Sequence, residues 1–204
     1  MTLRLPDNPI FRSCELTFEH PVIINKTKSG RHQASPDGPS FVRAVITYNR
    51  GVYRDDDELR PLWSFLSACN GQLNEFDAHF GHFSEGQGYT NNAGTVRTAA
   101  SSGYEVQTAG WQSGKLIRRA GDFVQFGNNP KVYMLSEDAV GDAIGNCTLK
   151  ISTPLVVSVP VTSSVKIHNI LFRMRLSSKT ASITNEPGRI QSISTIEMEE
   201  TINA

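Results

Sequence analysis

A single stretch of this chain spaces its apolar residues as a helix does. Leu59, Leu62, Trp63 and Leu66 stand at i, i+3, i+4 and i+7 and share one face. Asp55-Asp56-Asp57-Glu58, directly before them, supplies a cap and negative charge at the positive end of a helix. Asn70-Gly71 supplies the stop. Pro61 fits only if the helix starts near Asp56 or Asp57, with the proline in or near the first turn. The acidic run is read as a cap rather than a metal cluster, because the apolar periodicity follows it at once. With one helix, most of the remaining apolar content must be buried by strands.

The strand candidates are short, because 10 Pro and 16 Gly punctuate the 204 residues. Phe41–Tyr48 is rich in β-branched and aromatic residues, and Val22-Ile23-Ile24 precedes it. Asn25 to Ser40 between them is nearly devoid of apolar residues and reads as an exposed, mobile loop. Gln72–Phe80 reads as a short strand, and Ser84–Gly94 as a polar domain boundary. Beyond it, Val96–Ala100, Tyr104–Ala109, Asp122–Phe126, Lys131–Leu135 and Cys147–Ile151 read as five strands with glycine turns, a pattern that fits a small closed barrel. Leu155–Val161 fits a strand or a linker. Val165–Leu176 and Arg189–Met198 read as two further strands, with a polar loop from Ser177 to Gly188 between them. The pattern implies a mainly β chain. An outer sheet domain with one helix spans 1–83 and 161–204, and an all-β domain over 84–160 is inserted in it. Two domains in series fit the same pattern.

Charge and composition narrow the function. Twenty Lys and Arg balance 20 Asp and Glu, unlike the basic excess of a general nucleic-acid binder. No apolar run is long enough to span a bilayer, and Met1–Pro9 lacks the apolar core of a signal peptide, so synthesis in the cytoplasm is expected. Cys14, Cys69 and Cys147 have no metal-ligand spacing and read as three reduced, half-buried thiols.

No residue set points to catalysis, a cofactor or a metal. His79 and His82 would share a face on a helix, but Phe80, Gly81 and Phe83 suggest a strand end and a turn, which sends them to opposite faces. Neither Gly-x-Ser-x-Gly nor a phosphate-binding glycine loop occurs. Glu137, Asp138 and Asp142 fall in a Gly-flanked loop rather than facing each other across a cleft, as glycosidase carboxylates must. An OB-type barrel binding single strands would stack bases on Tyr104, Trp111, Phe123 and Tyr133 and hold phosphates with Lys115, Arg118, Arg119 and Lys131. Nearby carboxylates cancel that basic charge, and the aromatics read as core.

Three stretches together carry a resemblance. The first is Arg54–Leu66 with Asn70-Gly71-Gln72 and Phe76. The second is Arg119-Ala120-Gly121-Asp122-Phe123-Val124-Gln125-Phe126 with Pro130-Lys131-Val132-Tyr133-Met134-Leu135. The third is His168–Leu176, followed by a last strand. In this order they resemble the distal tail proteins of long-tailed bacteriophages, in the variant with an OB-like domain inserted in a common β-sandwich. The resemblance runs from about Phe41 onward, and the first forty residues match loosely. It implies a tail-tube-like β-sandwich with one helix, plus an inserted OB-like barrel. It also implies a virion structural protein rather than an enzyme, in a hexameric ring at the distal end of the tail. Such a ring joins the tube protein to the tail-tip or baseplate hub protein, carries fibre or collar proteins outside, and passes DNA through its lumen as cargo. A ring needs heterologous joints, for which Val165–Leu176 is a candidate contact and Asn25–Ser40 a docking arm. Other tail components (tube, terminator or hub subunits) and an OB-type nucleic-acid-binding module are the alternatives.

Overall fold

A computed structural model describes residues 3–7, 10–26, 28, 30–48, 56–86, 93–127, 129–179, 183–186, 190–193 and 195–202, with backbone alone at 56–58, 183–186 and 190–193. The chain is mainly β, with two helices among the described residues. It divides into two compact units, Met1–Phe76 with Met174–Thr201 and Asp77–Arg173 with Ile202–Ala204. The second unit therefore includes 77–83 and 161–173, which sequence patterning assigned to the outer domain.

The first unit is organised by a six-stranded sheet in the order β1-β6-β15-β18-β5-β2. These strands are Leu3–Arg4 (β1), Phe76–Ala78 (β6), Phe172–Leu176 (β15), Ile196–Glu200 (β18), Phe41–Tyr48 (β5) and Phe11–Glu19 (β2). The unit boundaries fall inside β6 and β15. Strict alternation in β5 buries Val42, Ala44, Ile46 and Tyr48 on one face, as period-two geometry requires. Helix α1 (Asp56–Cys69) buries Leu59, Leu62, Phe65, Leu66 and Cys69. The Phe65 ring meets Phe76 edge-on at 4.9 Å between centroids. The helix stops where Asn70-Gly71 predicts. Both residues take positive φ, and a Cβ on Gly71 would stand 2.9 Å from the Lys179 carbonyl oxygen. The helix starts at Asp56, as the position of Pro61 requires, and Pro61 is its sixth residue, just past the first turn. The expected Asp55–Glu58 cap lies outside the described residues and side chains.

The second unit holds a six-stranded sheet ordered β11-β10-β14-β7-β8-β13. Its strands are Val132–Met134 (β11), Phe123–Phe126 (β10), Ser164–Lys166 (β14), Gly94–Val96 (β7), Glu105–Ala109 (β8) and Cys147–Lys150 (β13). A short pair, Leu116–Arg118 (β9) with Ala139–Val140 (β12), accompanies it. The chain just past the two edge strands meets in an antiparallel bridge, Leu135 with Ile151. Ser136 N donates to Lys150 O at 2.9 Å and Ser152 N to Met134 O at 2.8 Å. The sheet thus curls until its ends touch, around a core that includes Val106, Trp111, Ile117, Phe126, Tyr133 and Leu149.

Several sequence expectations are corrected. The expected loop 25–40 contains a strand, β4 (His32–Pro36), paired antiparallel with β3 (Val22–Lys26). The expected strand Val165–Leu176 is two, β14 and β15, in different sheets. Val165, Ile167, Ile170, Phe172, Met174 and Leu176 are buried and form core, as the first half of the expected core-plus-contact role requires, while Leu171 is half-buried. Arg189–Met198 likewise divides into β17 (Ile190–Ile193) and β18, with β17 paired to β16 (Ile183–Glu186) inside the expected polar loop. Leu155–Val161 contributes an isolated bridge at Val159. Gln72–Phe80 is a strand only over Phe76–Ala78, and α2 (His82–Glu85) is a second helix that the sequence pattern did not announce.

Candidate functional site

The histidines examined for metal binding diverge. His82 is exposed on α2, while His79 Nε2 lies 3.1 Å from Glu85 Oε1. Among the described residues no group of three or more His, Cys, Asp or Glu is placed to hold a metal. The thiols are free: Cys69 and Cys147 are buried and Cys14 is half-buried. Burial pushes the Cys14 and Cys69 thiols up to about 11, which leaves them protonated and unreactive near neutrality.

The loop carboxylates are engaged in turns and surface pairs. Asp138 Oδ1 accepts from Ala120 N at 2.8 Å, and Lys150 Nζ stands 2.9 Å from Glu137 Oε2. Asp142 Oδ1 accepts from Ile144 N at 2.9 Å and from Asn146 N at 2.8 Å, and these backbone donors hold its carboxyl below the ordinary aspartate range.

The residues proposed for base stacking and phosphate binding do not form one face. Trp111, Phe123 and Tyr133 are buried, and Tyr104 alone of the four is exposed. Arg118 and Lys131 are buried too, whereas Lys115 and Arg119 are exposed. Trp111 is held in the core by its indole N–H, which donates to Thr108 Oγ1 at 2.7 Å, and that hydroxyl donates to Cys147 O at 2.8 Å.

Arg118 is the hub that sequence reasoning missed. Its side chain is fully buried. Nε and Nη2 donate to Ile167 O at 3.0 and 2.6 Å, and Nη1 donates to Ile117 O at 2.8 Å. Nη2 also meets His168 Nε2 at 2.8 Å. Burial lowers the guanidinium pKa, while the charges of Asp122 and Glu85 oppose that shift. A Cβ on Gly86 would lie 2.8 Å from Arg118 Nε, so glycine is what lets the end of α2 approach this group. No periodicity marks a lone buried arginine in a three-residue strand.

A polar cleft of about 310 Å³ lies in the second unit, lined by Asp77, Gln125, Asn129, Lys166 and Arg173 among others. Arg173 Nε donates to Asp77 Oδ1 at 2.6 Å, and Gln125 Nε2 donates to Leu171 O at 3.2 Å.

The β3–β4 hairpin is the most exposed element of the first unit among the described side chains. All ten of its residues are exposed, including Val22, Ile23 and Ile24 at 49%, 44% and 62%. It forms a two-stranded sheet of its own. Its base is fixed by Asp37 N donating to Pro21 O at 2.8 Å and by a 2.8 Å contact of His20 Nδ1 with Ser40 Oγ. A lone two-stranded hairpin is marginal in water, and its exposed aliphatics gain by docking.

In comparisons with known proteins, no family model matches this chain and no curated protein matches it.

Proposed function

We propose that this chain is a structural subunit of a bacteriophage virion, a distal tail protein. In this reading a hexameric ring of it connects the tail tube to the tail-tip or baseplate hub at the distal end of the tail and lines the DNA ejection channel. The first unit is the common tail-tube-like β-sandwich, and the second is the inserted OB-like barrel, available to fibre or collar proteins.

The reading rests first on the resemblance carried by Arg54–Leu66, Arg119–Leu135 and His168–Leu176. The structural observation that supports it best is the exposed β3–β4 arm with its three aliphatic residues. A ring closes through joints in which one surface of a subunit meets a different surface of the next, and a projecting hairpin serves such a joint. The occupied turn carboxylates and protonated thiols fit a structural role.

The arm supplies the test. Ile24→Asp places a charge on an exposed position, so the isolated subunit keeps its unfolding temperature. In phage assembly the variant is expected to fail to enter tails, leaving particles without complete tail ends. Normal incorporation of Ile24→Asp would remove the arm from the joint.

A further inference from the structure

The hydrogen bonds around His168 fix its protonation form from both sides. Arginine only donates, so the 2.8 Å contact with Arg118 Nη2 requires a bare lone pair on His168 Nε2. A carbonyl only accepts, so the 3.2 Å contact with Glu85 O requires the proton on Nδ1. The ring is therefore the neutral Nδ1–H tautomer, bridging the last residue of α2 to a buried guanidinium.

We propose that His168 is a proton-operated latch that holds α2 against the Arg118 hub. Adding a proton at Nε2 turns the acceptor into a donor and sets an imidazolium directly against a guanidinium. Two cations then face each other at hydrogen-bond distance and repel. Glu85 Oε2 stands 4.0 Å from Nδ1 on α2, and Asp122 bears on Arg118 from the turn before β10. Glu85 is shared, because its other oxygen is 3.1 Å from His79 Nε2. Arg118 keeps its bonds to Ile117 O and Ile167 O, so the hub stays while the imidazole leaves. With it goes the bond to Glu85 O, which leaves α2 held by Ile170 N donating to Ser84 O at 3.0 Å and by the Phe83 ring standing edge-on to Phe123 at 6.5 Å. The consequence is a local opening at 82–86 and 167–170 at acid pH, with the curled sheet intact. This inference does not depend on the tail assignment.

The test is hydrogen exchange on the full chain at about pH 7.5 and about pH 5. Protection of the Gly86 and Ile170 amides is expected to fall on the order of tenfold at the lower pH after correction for intrinsic rates. In His168→Gln, whose amide oxygen accepts from Arg118 at any pH, it is expected to stay within about twofold. Equal pH responses in the two proteins, or no response in the unsubstituted chain, would overturn the latch. Imidazole nitrogen shifts of the unsubstituted chain give a second readout that needs no variant. They are expected to report the Nδ1–H tautomer near pH 7.5, and an Nε2–H tautomer there would equally end the proposal.

Discussion

Gly94 lies directly beneath the indole of Trp111, so closely that a Cβ at position 94 would overlap the ring. Trp111 cannot move aside cheaply, because its indole N–H is held by Thr108 and its backbone N–H donates to Gly145 O at 3.0 Å. Gly94→Ala is therefore expected to destabilise the chain by about 3 kcal/mol through overpacking. Chemical denaturation should show a lower midpoint with an unchanged slope. An unchanged midpoint would mean that the strand shifts freely at this position.

Arg118 gives a second stability prediction. Arg118→Ala removes the donors to Ile167 O and Ile117 O and leaves buried carbonyls unsatisfied, at a cost of about 3–5 kcal/mol. Arg118→Lys should rescue little, because one ammonium cannot reproduce the paired donation from Nε and Nη2 to a single carbonyl. Equilibrium unfolding of the two variants side by side checks this, and full rescue by lysine would contradict it.

The thiols give a prediction in pH. With Cys14 and Cys69 held up to about 11, their thiolate fractions at pH 8 fall on the order of a hundredfold below that of an ordinary cysteine. A thiol reagent should modify the folded chain correspondingly slowly and the unfolded chain fast. The folded state binds these protons more tightly, so stability is full below the ordinary thiol range. It declines as pH rises from about 8.5 toward about 11, as the unfolded thiols ionise.

Asp142 works in the opposite direction. Backbone donors hold its folded carboxyl low, so its contribution is present above the ordinary aspartate range and is lost as pH falls through the folded value. Asp142→Ala should free the Ile144 and Asn146 amides, raising their exchange rates and removing this part of the acid sensitivity. Unchanged exchange at both amides would show that the turn holds without the carboxylate.

How legible the fold was in the sequence depends on how each element is solvated. β5 has one buried face, and its alternation marks Phe41–Tyr48 to the residue. α1 ends where Asn70-Gly71 indicates, because the positive φ there favours those residues. The β4 strand was invisible because His32–Pro36 is exposed on both faces and carries no alternation to read. β14 and β15 merged into one expected strand because Ile167, Ile170 and Leu171 carry apolar residues through the connection between them, where Ile167 and Ile170 are buried. Arg118, His168 and Glu85 meet only through the fold, the pairs that touch being 50 and 83 residues apart. Their types and spacing form no local motif.

The central claim is that this chain sits at the distal end of a phage tail. Antibody labelling of tailed particles that carry its gene, viewed by electron microscopy, tests it most directly. The account predicts label at one level, where the tube meets the tip. Label along the whole tube or at the head end would instead assign a tube or terminator subunit, and unlabelled particles would contradict the virion assignment altogether.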